Sequence, residues 1–213
     1  MLPFRLNALF TRALLGLALV LGLTACDSND PSGDEGAGDA EVISNVTITL
    51  TNTSDASNTV TAEAAFNEAG ELMSVARPVQ LQAGATYEGT IAFENRFASE
   101  PAEQDITAEV REEAVEHQVF YVLSGAAAGD VTVTVTDRET DYVSDSSDDM
   151  PRSNVPVGLT YTVDVADSPS GSEATLRVVL GHYDDREKTA SETVDEVPEV
   201  DVDVDFGLLV AAP

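Results

Sequence analysis

His117 and His182 are the only histidines in the chain, and Cys26 is its only cysteine. Carboxylates abound, whereas imidazole or thiol chemistry has to come from these three residues. Glu109, Glu113 and Glu116 precede His117, and a helix running as far as His117 would put Glu113 and His117 on one face, four residues apart. His182 is followed by Tyr183, Asp184 and Asp185, which carry oxygen donors. Two imidazoles with one or two carboxylates suit zinc, copper or another divalent transition metal. The expected ligands are His117, His182, Glu113 and Glu116. A competing expectation stays open. His117 falls in step with Val119, Tyr121 and Leu123, and His182 with Leu176, Val178 and Leu180, so both could be rim residues of a core.

Other chemistry is poorly served. Glu199, Asp201, Asp203 and Asp205 alternate with Val200, Val202, Val204 and Phe206, which places four carboxylates on one side of a strand. An EF-hand calcium loop does not fit, because the glycine falls at Gly207 and no glutamate takes the twelfth position. The expectation is a solvated outer face. Serines and aspartates are plentiful, yet no Gly-x-Ser-x-Gly elbow occurs and neither histidine has a recognisable catalytic setting. A non-enzymatic protein is expected, with a hydrolase as the lesser alternative.

At the N-terminus, Arg5 and Arg12 precede an uncharged apolar run from Ala13 to Leu23. A membrane-spanning helix needs about 20 apolar residues, and Arg12 interrupts any longer count. The segment reads as a cleaved export signal. The four residues at its end, Leu23-Thr24-Ala25-Cys26, resemble a bacterial lipobox. That resemblance implies cleavage before Cys26 and attachment of acyl chains such as palmitate there. Two or three chains at about 0.8 kcal/mol per buried methylene make a durable anchor, whereas one chain holds only marginally. Residues 1–25 are expected to be the signal and 26–41 an acidic flexible tether. The location this implies is the cell envelope, at the outer membrane, on its periplasmic face or the cell surface.

The chain has 39 acidic residues against ten cationic ones, a formal charge of −29. Such a charge argues against nucleic acid and against adhesion to anionic headgroups. The same excess of acid also resembles proteins of high-salt habitats, and the two explanations stay open.

Residues 42–213 are long enough for one domain with a sizeable core. Val46, Ile48 and Leu50 alternate with threonines, and Val60, Ala62, Ala64 and Phe66 repeat the pattern. Further strands are expected at 72–81, weakened by Pro78, and at 87–93, 117–123, 131–136, 157–165, 174–183 and 200–210. Asp105 can cap one short helix carrying Ile106, Val110 and Ala114 inward. The fold class is mainly β: a single antiparallel β-sandwich, or a barrel-like relative, with that helix.

Three blocks, Asp105 to Tyr121, Val155-Pro-Val-Gly-Leu159 and Thr175 to His182, resemble a family of small uncharacterised bacterial lipoproteins. In that family a Glu-rich helix runs into a His-Gln-Phe-Phe-Tyr strand, and a Leu-Pro-Val-Gly-Leu segment precedes a Leu-Arg-Val-Val-Leu-Lys-His strand. Its members often carry the label of a type 1 periplasmic-binding fold, which implies two doubly wound α/β lobes. The residues here lack the strand and helix alternation that such lobes need. The expected function is a lipid-anchored binding or accessory domain, serving metal uptake with an outer-membrane transporter. A structural or adhesive surface protein is the alternative, although with no tryptophan and 6% aromatics a sugar-stacking platform is poorly supplied.

Overall fold

The computed structural model describes residues 41–144, 151–183 and 186–211. The expected signal at 1–25, the lipidated Cys26, almost all of the tether and the candidate donors Asp184 and Asp185 lie outside the described residues.

Alternation of apolar and polar residues builds ten strands: β1 (Asn45–Asn52), β2 (Thr59–Phe66), β3 (Leu72–Val75), β4 (Val79–Gln82), β5 (Thr86–Glu94), β6 (His117–Ser124), β7 (Val131–Val135), β8 (Thr160–Val165), β9 (Glu173–His182) and β10 (Glu199–Ala211). They form a six-stranded sheet in the order β3-β2-β1-β5-β8-β7 and a four-stranded sheet in the order β4-β10-β9-β6. In β1, Val46, Ile48 and Leu50 are buried while the threonines between them stay half-exposed. The inward residues of both sheets, among them Ile48, Phe93, Val119, Leu180 and Phe206, join one core. Burying each such side chain contributes about 1.5–3 kcal/mol relative to leaving it in water. The fold is a β-sandwich, not a pair of doubly wound lobes.

One expected strand proves to be two. The stretch 72–81 breaks at Arg77-Pro78 into β3, at an edge of the larger sheet, and β4, at an edge of the smaller one. Proline has no amide hydrogen to donate to a ladder, so the chain changes sheets there. β4 then pairs parallel to β10, whereas the other strand pairs described are antiparallel.

The helical stretch between β5 and β6 is a single turn, α1 (Pro101–Gln104), followed by α2 (Ile106–Glu112). Asp105 caps α2 as expected, its carboxylate accepting from the Ala108 amide at 3.1 Å. Ile106 and Val110 face the core. Thr107 ties the helix to β5 by donating its hydroxyl to the Phe93 carbonyl and accepting from the Phe93 amide. The helix stops at Glu112, short of His117, and the turn through Glu113 and Glu116 delivers the chain directly into β6.

Candidate metal centre

β6 and β9 are neighbours in the four-stranded sheet, and their register sets His117 directly opposite His182. The two rings stack with centroids 4.3 Å apart and planes 23° from parallel. Both are buried, His117 completely and His182 to 2% exposure. They close one end of the inner face, beyond Val119 on β6 and Leu180 on β9. The ligand expectation and the rim-of-core expectation therefore describe one and the same place.

Carboxylates approach the pair from two sides. Glu113, at the end of α2, brings Oε2 to 3.8 Å from His117 Nδ1, and its main-chain oxygen lies 3.3 Å from the same nitrogen. The helix does not continue to His117, so this proximity comes from the tight turn after α2, where the His117 amide donates to the Glu113 carbonyl. Donor atoms of Glu113, His117 and His182 all fall within 4.8 Å of one another. Glu116, the remaining expected ligand, sits in the turn and is not part of this group.

The second side is a correction. Asp201 belongs to the acidic stripe expected to face water, yet its side chain is 0% exposed. The cause is a break in register within β10: Val200 pairs with Gly181 and Val202 with the next residue, Leu180, leaving Asp201 as the extra residue of a bulge. A bulge turns two consecutive side chains toward one side and bends the strand beyond them. Val200 accordingly points outward at 47% exposure, while Asp201 and Val202 both turn in. Asp201 Oδ2 lies 3.9 Å from His117 Nε2, and Oδ1 lies 3.8 Å from His182 Nδ1. Asp203 keeps the expected outward direction and pairs with Arg177 at 2.7 Å.

Around this pair the surroundings are acidic. Carboxylate oxygens of Glu41, Glu109 and Glu113 lie within 4.8 Å of one another, and the Glu41 amide donates to Asp201 Oδ1 at 3.3 Å. Such a rim raises the local concentration of cations. A cleft of about 410 Å³ runs past Asp201, lined in part by Glu41, Ile43, Phe66 and Val200.

Burial pulls the pKa of His117 down to about 3, with His182 and Lys188 pushing the same way and the Glu113 carbonyl opposing. The imidazole is thus neutral at physiological pH, the form that binds metals. Lys188, the only lysine, is buried beneath it. Its ammonium donates to the carbonyls of Ala114, His117 and Pro156 and lies 3.6 Å from the buried Glu139 carboxylate. Burial lowers the Lys188 pKa to about 8, against the pull of Glu139.

The segment Val155 to Leu159 locks the outer side of β6. The Val119 amide donates to the Val157 carbonyl at 2.7 Å, and the Tyr121 hydroxyl donates to the Gly158 carbonyl at 2.7 Å. Buried Asp137 then accepts from the amides of Gly158, Leu159 and Thr160. The three sequence blocks, scattered along the chain, thus meet around the two histidines. The chain matches no family model, no curated protein and no solved structure, so the site's chemistry rests on its own residues.

Proposed function

We propose that this chain is a lipid-anchored protein of the cell envelope whose β-sandwich binds a divalent transition metal, zinc or copper, without catalysing a reaction. The observation that carries the metal is the stacked pair of buried imidazoles, His117 and His182, with carboxylates at both edges. Imidazole nitrogen selects borderline ions over calcium and magnesium, which prefer oxygen alone. The neutral His117 ring and an acidic rim favour capture of a cation. The anchor rests on the residues leading to Cys26, and attachment through lipid leaves the folded domain free to work in water. An accessory role beside an outer-membrane transporter that takes up metal is the partner this combination suits.

Equilibrium dialysis of the purified chain against zinc and copper tests the reading, with His117→Ala and His182→Ala alongside. The expected result is one ion per chain and a loss of affinity of about 100-fold or more in either variant, beyond the roughly 10- to 100-fold that changes outside the ligand shell cost. Binding that survives both substitutions would remove the site.

A further inference from the structure

Each imidazole offers a metal one nitrogen, and the hydrogen bond at the other decides which. In His117, Nδ1 lies 3.3 Å from the Glu113 carbonyl oxygen. A carbonyl only accepts, so Nδ1 carries the proton. The lone pair is therefore on Nε2, which is buried with no hydrogen-bond partner and faces Asp201 Oδ2 at 3.9 Å. A buried lone pair on that nitrogen is costly unless something positive reaches it across the gap to Asp201. The gap is too long for a hydrogen bond, and it is short for a bridging water, which at about 2.8 Å from each atom would hold them about 4.5 Å apart. It does fit two ligands of one ion, since metal-to-ligand bonds of about 2.0–2.2 Å put their ends at most about 4.2 Å apart. The other oxygen of the same carboxylate stands 3.8 Å from His182 Nδ1. A β-bulge, which interrupts the ladder, is what turns Asp201 to this position.

We infer, on the strength of the metal-binding reading above, that the carboxylate ligand is Asp201 and not Glu113: the ion is held by His117 Nε2, His182 Nδ1 and the Asp201 carboxylate. Glu113 acts through its main-chain carbonyl, which fixes the His117 tautomer, while its side chain, 39% exposed, belongs to the acidic rim. Two nitrogens and one oxygen leave a coordination position for water or an exchanging ligand, as a protein that captures and releases its ion requires.

Zinc competition against a chromophoric chelator, on the full chain, separates the two carboxylates. Asp201→Asn is expected to weaken zinc by about 100-fold or more, past the range of outer-shell changes. Glu113→Gln is expected to cost about fivefold at most, the worth of a half-exposed charge. Zinc binding lost with Glu113→Gln and kept with Asp201→Asn overturns the assignment and leaves the metal reading standing. Binding indifferent to His117→Ala and His182→Ala overturns both. The imidazole nitrogen NMR of the unsubstituted chain gives a second test that does not depend on a variant folding. Nδ1 of His117 should be protonated without metal and stay so as zinc shifts Nε2, and the reverse pattern overturns the assignment.

Discussion

His117 on β6 and His182 on β9 face each other across one antiparallel pair, rings stacked at 4.3 Å, because the register of the two strands places them at the same level. A one-residue slip would turn one ring to the opposite face. The pairing that builds the sandwich therefore also builds the site.

Acid should loosen the fold through His117. Its folded pKa, near 3, lies below the ordinary value of 6.5. The unfolded chain then binds the proton first, and the stability that neutral His117 contributes is present above pH 6.5 and lost progressively as pH falls toward 3. One such group gives at most about 1.4 kcal/mol per pH unit. Urea unfolding of the metal-free chain between pH 7 and 4 should show a steeper loss than His117→Gln, and equal slopes would contradict the burial argument.

Removing Lys188 should be costly. Its ammonium bonds three carbonyls from two segments, the turn at Ala114 to His117 and Pro156, and faces the buried Glu139 carboxylate. Lys188→Met leaves that charge with Arg152, 3.3 Å away, as its cation in the pocket. The expected destabilisation is about 3–5 kcal/mol, read from chemical unfolding, and adding Glu139→Gln should restore part of it. A loss below about 1 kcal/mol would mean that the clasp contributes no more than a surface pair.

Gly158 should tolerate no side chain. Its φ is +95°, and a Cβ there would lie 2.6 Å from the Val119 carbonyl oxygen on β6. Gly158→Ala combines left-handed strain of about 1–3 kcal/mol with a backbone clash, and should lower the melting temperature by several degrees. Asp137→Asn, which replaces one acceptor of the three amides with a donor, should cost about 2–3 kcal/mol by the same measurement. An unchanged melting temperature in either variant would show that the 155–159 segment does not brace β6.

Membrane attachment is expected to follow Cys26. Cys26→Ser should move the protein from the membrane fraction to the soluble one, and mass spectrometry of the unsubstituted chain should find acyl chains on its first mature residue. An unmodified Cys26 in membrane material would refute the anchor.

Much of this architecture was legible because it is local. Alternation along Val46 to Leu50 and Val60 to Phe66 marks strands buried on one face, and Asp105 ahead of Ile106 and Val110 marks a capped helix. The partners of β6 were not legible, since nothing within 117–124 specifies β9, and the stacking of the two histidines is a product of that pairing. Asp201 was hidden more deeply. Valine and acid alternate without interruption from Glu199 to Phe206, so the pattern reads as an unbroken strand while the backbone inserts a bulge at its start. Glu113 was legible through a helix that in fact ends one residue before it.

Zinc-edge anomalous diffraction from crystals of the purified chain grown with zinc tests the central claim most directly. A single strong peak about 2 Å from an imidazole nitrogen of His117 and of His182 is predicted. Zinc found only elsewhere, with the two rings still stacked and no peak between them and Asp201, would contradict it.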